Sequence, residues 1–174
     1  MMIKTCLLGL GRTGSVVADE LLKSSDFDLV SVIGRPGSQR VGHSLKEYFR
    51  TDREVTVADA NDLAREIKEK KVKVAIDFTS PEAALKNAHV LAEHGVHMVI
   101  GTTGFNNMQL YELKNIVQQH RVGLVYAPNI SVGINLLLSV VKTIARLIPH
   151  YDVEITESCH REKKDSPSGT ALKI

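Results

Sequence analysis

The stretch MIKTCLLGLGRTG, residues 2–14, decides how this chain is read. Residues 2–10 form an apolar run of strand length that ends in glycines. Gly9-Leu10-Gly11-Arg12-Thr13-Gly14 follows, and Val16, Val17, Leu21 and Leu22 then share one helical face across 13–24. Strand, glycine turn and helix in succession give GxGxxG its physical meaning. Small residues let the backbone approach a pyrophosphate, and the helix start offers unpaired N–H groups to anionic oxygens. Arg12 can add a charge-assisted contact to phosphate. An ordinary tight turn would use the same residues, so the surrounding pattern carries the weight.

That pattern alternates. Strands are expected at 28–33, 54–57, 72–78, 96–101 and 122–128, with helices at 59–71, 81–94, 106–120 and 131–148 and a short one near Leu45–Phe49. Asp59 or Asn61 suits a helix N-cap, and Pro81 suits a first helical turn. The alternation predicts βαβ units and therefore an α/β fold with a mostly parallel sheet, apolar on both faces. YDVEITES, 151–158, alternates like a strand with one wet face. A lone strand leaves its backbone groups unpaired. The expectation is therefore a complete first domain and the opening of a second, the chain stopping at TALKI just inside a new helix. Pairing of 151–158 onto the first sheet is the plainer alternative.

Composition bounds the function. The chain has 174 residues, 43% hydrophobic and 24% charged, as in an ordinary soluble domain. A net charge of +2 argues against a nucleic-acid binder. No apolar run approaches the ~20 residues of a membrane span. Cys6 and Cys159 form neither a metal spacing nor a disulfide framework, and a reducing cytoplasm is the expected compartment. No metal is expected.

Five further clusters carry chemistry. Strand two ends in Ile33-Gly34-Arg35-Pro36 with Arg40 nearby, where an NAD site carries an acid for the ribose 2′-hydroxyl. No carboxylate is present, and Arg35 can pair with a 2′-phosphate, which favours NADP. Asp77-Phe78-Thr79-Ser80-Pro81 and Gly101-Thr102-Thr103-Gly104-Phe105 end two more strands, on the edge where open α/β sheets bind ligands. Ala127-Pro128-Asn129-Ile130-Ser131-Val132-Gly133 leaves the strand expected at 122–128, enters the long helix and can hinge two domains, with Asn129 or Ser131 as its cap. The stretch from Glu157 to Thr170 gathers cations before a Ser-Gly-Thr step and suits a carboxylate.

Taken in order, GLGRTG, DFTSPE, VIGTTGF, APNISVGIN and CHREKKDSPSGTA resemble the 4-hydroxy-tetrahydrodipicolinate (dihydrodipicolinate) reductase family across 1–174. The resemblance implies a Rossmann-type, doubly wound parallel sheet in a dinucleotide-binding domain, 1–127. A hinge helix and an incomplete α+β substrate and oligomerisation domain, 128–174, would follow. It implies reduction of a cyclic dicarboxylate in lysine and diaminopimelate biosynthesis by NADPH, preferred, or NADH, in a homotetramer. Gly9, Gly11, Arg12, Thr13 and Gly14 would hold the pyrophosphate and Arg35 the 2′-phosphate. Gly101, Thr102 and Thr103, with Ala127, Pro128, Asn129 and Ile130, would frame the nicotinamide and its ribose. His160, Gly169 and Thr170 would hold substrate carboxylates, and Lys163 would donate a proton. Cys159 stands where the family usually has the first of two histidines, its acid/base; a thiol near a lysine can titrate close to neutral pH and substitute. Two alternatives accompany this reading: a related NADP oxidoreductase on another amino-acid-derived substrate, and a nucleotide-binding module without turnover.

Overall fold

A computed structural model describes residues 2–159, 161 and 166–174. Within it the chain divides into two compact units, one running to Ala127 and the other from Pro128 to Ile174.

The first unit is built on six strands: β1 (Ile3–Leu8), β2 (Phe27–Gly34), β3 (Val57–Asp59), β4 (Val74–Asp77), β5 (His97–Ile100) and β6 (Leu124–Tyr126). They form one sheet in the order β3-β2-β1-β4-β5-β6, and every neighbouring pair is parallel. The five crossovers such a sheet needs are supplied by α1 (Arg12–Lys23), α2 (Leu63–Lys70), α3 (Pro81–Glu93), α4 (Asn107–His120) and, between β2 and β3, the segment 35–56 with a 3-10 turn, Leu45–Glu47.

Strands β1 and β2 are buried on both faces, as their composition predicts, whereas at the edge β6 is not, its Val125 being 58% exposed. Cys6 and Leu8 point into a core with Leu63 and Ile67 of α2, Ala84, Ala88 and Leu91 of α3, and Leu113 and Ile116 of α4. Leu7, between them, points the other way, into a core with Ala18, Leu21 and Leu22 of α1 and with Leu45 and Val57. Leu29 and Val32 share that second face although three residues apart, because the β1–β2 register slips by one between Thr5 and Cys6.

Several expectations are corrected. Val16 is 64% exposed; the buried face of α1 is Gly14, Ala18, Leu21 and Leu22, and Val16 lies on its far side. The third strand is Val57–Asp59 rather than 54–57, since residues 55 and 56 pair back towards Leu45 and Ser44 instead of joining β2. The helix expected from 59 to 71 is a 3-10 turn, Ala60–Asp62, leading into α2; Asp59 caps the turn by accepting from the Asn61 N–H at 2.8 Å. The first helix starts at Arg12, with Gly11 as its cap residue.

The second unit holds α5 (Val132–Leu147) and a 3-10 turn, Ala171–Lys173. Residues 151–158 are not a strand and pair with none of the described strands, contrary to the alternation. Ser131 sits at the N-cap position of α5 without a side-chain cap bond. Asn129 instead turns the chain, its Oδ1 accepting from the Ser131 N–H at 2.9 Å.

Candidate active site

The functional edge of the first unit is assembled by strand ends. Each backbone N–H just beyond a strand donates to its neighbour: Gly9 to Ile33, Phe78 to Leu8, Gly101 to Asp77 and Ala127 to Ile100, all at 2.9 Å. These bonds bring the four strand-end clusters onto one edge. Crossovers leave β1 in opposite directions, so the crevice opens above β1, between its two neighbours.

A cleft of about 690 Å³ lies there, lined by the ends of β1, β2, β3 and β4. Gly9, Gly11 and Arg35 of the expected cofactor residues line it, joined by Arg40, Thr79 and Asn87. The three glycines of the loop do different work. Gly14 lies under it: a Cβ there would stand 1.9 Å from the Gly9 carbonyl oxygen. Gly9 has φ +89°, and a Cβ there would meet the Phe78 carbonyl oxygen at 2.6 Å. Gly11 faces open space, with no atom within 4 Å of an added Cβ. Helix α1 begins at this point without a side-chain cap, so its first N–H groups are available to anionic oxygens. Arg12 and Thr13 are exposed in the first turn.

Charge in the cleft is one-sided. Its lining carries two guanidinium groups, Arg35 and Arg40, and no carboxylate. Gly34 stands where a ribose-binding acid would, and a Cβ there would already meet Val41 and Val57 at 3.1 Å.

The Asp77 carboxylate is buried beneath the edge. Its Oδ1 accepts from the Thr79 N–H (2.8 Å), the Thr79 hydroxyl (2.6 Å) and the Thr102 hydroxyl (3.2 Å); its Oδ2 accepts from the Asn87 side chain (2.9 Å). One carboxylate thus ties the ends of β4 and β5 to α3. Thr102, expected at the nicotinamide, is buried with its hydroxyl turned to Asp77, while Thr103 is exposed. Gly101 admits the Phe78 ring, which an added Cβ would meet at 2.2 Å. Phe105 packs edge-on to Tyr126 with ring centroids 5.6 Å apart, and burial raises the Tyr126 pKa. Asn87 escapes a reading of the sequence, although a polar residue among Ala84, Ala88 and Leu91 on a buried helix face signals a partner.

In the second unit the Asn129 side chain donates to the Thr170 hydroxyl at 3.0 Å, joining two of the expected site residues. The Glu157 carboxylate accepts from the Ser168 N–H at 2.7 Å, so the Ser-Gly-Thr turn already holds one carboxylate of the chain itself. Gly169 has open space about its Cα, and Ile130 is exposed. His160 and Lys163 lie outside the described residues.

Cys159 is exposed and Cys6 is buried. Burial pushes the Cys6 thiol up to about 12, from an ordinary 9.0. A thiol-exchange titration of the folded chain is therefore expected to label Cys159 promptly and Cys6 only on unfolding. Because its folded pKa is raised, Cys6 favours the folded state fully below pH 9.0, and that contribution fades as pH climbs from 9.0 towards about 12. Rapid labelling of both thiols in the native chain would contradict the burial.

Among the described residues no helix is long and apolar enough to cross a membrane, and no group of three His, Cys, Asp or Glu is placed to hold a metal.

Strand order, glycine loop and crevice define a Rossmann-type dinucleotide-binding fold. Comparison with known proteins names the family. The family model for dihydrodipicolinate reductase, N-terminus, matches residues 3–130, and that for the C-terminus matches residues 133–174. The chain belongs to the dihydrodipicolinate reductase family. It is 37% identical over 174 residues to the 4-hydroxy-tetrahydrodipicolinate reductase of Methanothermobacter thermautotrophicus, an alignment covering 99% of this chain and 64% of the relative. Against that of Methanosarcina barkeri it is 36% identical over 174 residues, covering 99% of this chain and 65% of the relative. A solved dipicolinate-bound dihydrodipicolinate reductase from Paenisporosarcina sp. TG-14 superposes with a TM-score of 0.77 at 31% identity, covering 99% of this chain and 64% of that one. The chain thus spans somewhat under two thirds of the length of these relatives.

Proposed function

We propose that this chain carries the cofactor site of an NAD(P)H-dependent 4-hydroxy-tetrahydrodipicolinate reductase, acting in the cytoplasm on the route to diaminopimelate and lysine. The glycine loop supports this most directly: Gly9 and Gly14 are locked by close packing, while Gly11 lines the cleft with open space about its Cα. That arrangement fits a pyrophosphate crossing at Gly11 and the α1 N-terminus. A bound reduced nicotinamide would supply the hydride for a conjugated cyclic imine, and a proton must complete the reduction.

The remaining roles belong to the chain. NADPH is the preferred cofactor, because Arg35 lines the adenosine end, no carboxylate lines the cleft and Gly34 leaves no ribose acid. The Gly101–Thr103 turn and residues 127–130 frame the nicotinamide side. His160, Gly169 and Thr170 hold the substrate dicarboxylate, and Lys163 or Cys159 furnishes the proton. The working assembly is a homotetramer.

Calorimetric titration with NADPH and NADH, with and without pyridine-2,6-dicarboxylate, tests this reading. Tighter NADPH binding, strengthened by the dicarboxylate, is the expected result. Arg35→Ala should weaken NADPH by roughly 10- to 100-fold, the range for a charged hydrogen-bond partner, and leave NADH within about twofold. Equal loss for both nucleotides would remove the 2′-phosphate role, and absence of nucleotide binding in the wild type would remove the function.

A further inference from the structure

The peptide between Leu10 and Gly11 turns about the Leu10 ψ and Gly11 φ bonds, and on the Gly11 side nothing resists rotation: there is no side chain, and nothing lies within 4 Å of where a Cβ would stand. Such a peptide can flip, carrying its N–H away from a ligand. Two side chains reach its carbonyl: the Ser15 hydroxyl donates to it at a long 3.5 Å, and Arg40 makes the short contact. The Arg40 guanidinium, thirty positions further on, donates from Nη1 to the Leu10 carbonyl at 2.5 Å and to the Ser15 hydroxyl at 3.4 Å. Its Cζ lies over the Tyr48 ring, 5.2 Å from the centroid.

The segment that delivers Arg40 is itself fastened. Ser38 N–H donates to the Arg35 carbonyl, Val41 N–H to Ser38, and His43 N–H to Arg40, a run of turns. Gly42 N–H donates to the Val57 carbonyl and Val57 N–H to the His43 carbonyl, which clamps the run onto β3. Among the described residues Arg40 has no carboxylate partner within ion-pair distance.

We propose that Arg40 is a positioning residue for the cofactor: by holding the Leu10 carbonyl it fixes the plane of the Leu10–Gly11 peptide, and so the direction of the Gly11 N–H. A trans peptide is planar with carbonyl and N–H opposed, so fixing one aims the other. The role rests on the cofactor reading above. It differs from that of Arg35, since the aimed N–H serves the pyrophosphate that NADH and NADPH share.

Titration of the 174-residue chain with NADPH and NADH decides the matter, using Arg40→Ala, Arg40→Lys and Arg35→Ala. Arg40→Ala is expected to weaken both nucleotides by the same factor, about tenfold, the effect of one well-made hydrogen bond to a charged group. Arg40→Lys retains a donor for the carbonyl and should recover binding to within about threefold of wild type. The Gly11 amide resonance should shift in Arg40→Ala and return in Arg40→Lys. If the alanine variant does not fold, Arg40→Met keeps the stem over Tyr48 while removing the donor and carries the same expectation. Unchanged affinity in Arg40→Ala, or a lysine variant as weak as alanine, would overturn the proposal. So would a loss confined to NADPH, which would make Arg40 a phosphate ligand like Arg35. Those results all require wild-type binding; failure of the wild type to bind either nucleotide removes the cofactor reading, and this role with it.

Discussion

Replacing Gly14 with alanine is expected to destabilise the chain by about 3 kcal/mol, the upper end of ordinary overpacking. The reason is that the added methyl would stand 1.9 Å from the Gly9 carbonyl oxygen and 2.9 Å from its carbon. Neither is a side chain that can swing aside. Gly9 is hemmed in turn by the Phe78 carbonyl, so the displacement passes from α1 through the loop to the end of β4. For a chain of this size the midpoint of thermal unfolding should fall by roughly 6–12 °C. NADPH binding should be lost with the loop geometry. Gly11→Ala is the control: its Cβ meets nothing, and its φ of −81° suits any residue. Stability should stay within about 0.5 kcal/mol of wild type while NADPH affinity falls, because the methyl projects at the cleft. A Gly14→Ala variant that melts like wild type would show that the helix and loop are not in this contact.

Asp77→Ala should cost about 3–5 kcal/mol, since several buried donors lose their shared acceptor at about 1–3 kcal/mol each. Four donors, from Thr79 (two), Thr102 and Asn87, would be left facing a cavity. Asp77→Asn separates charge from geometry. Its amide oxygen can keep the three donors that now meet Oδ1, and only the contact with Asn87 becomes donor against donor. Reversal of the Asn87 amide would relieve that, so a cost of about 1–2 kcal/mol is expected. Chemical denaturation of the three proteins measures both values. Equal losses in the alanine and asparagine variants would mean that the charge, rather than the hydrogen-bond pattern, holds the edge together.

What can be read in the sequence is what local patterns encode. The run 2–10 with its glycines places the central strand and the crevice, since a buried strand feeding a tight turn leaves few other solutions. Val16 misleads because an apolar residue in a helix looks like core until the neighbouring layer is known. The alternation in 151–158 misleads for a related reason: a strand is defined by its neighbour, and alternation says nothing of whether one is at hand. Apart from the local turn to Thr79, the Asp77 network and the Arg40 contact join residues 10 to 30 positions apart, and no short-range signal announces those contacts. Only the buried polar Asn87 leaves a trace, as an amide on an otherwise apolar helix face.

The strand order also governs how the chain must fold. Central strand β1 pairs with β4 from Thr5↔Val74 to Leu8↔Asp77, so its second edge is closed only by residues about seventy positions away, a costly loop to shut early. The glycine loop depends on the same event, because the contact that confines Gly9 is made by Phe78. On the proposed cofactor reading, nucleotide competence is expected to arrive late, as a product of the long-range closure and not of the local turn. A chain caught before β4 docks would carry the whole glycine motif and yet hold no nucleotide, which makes cofactor capture a reporter of that docking step in refolding.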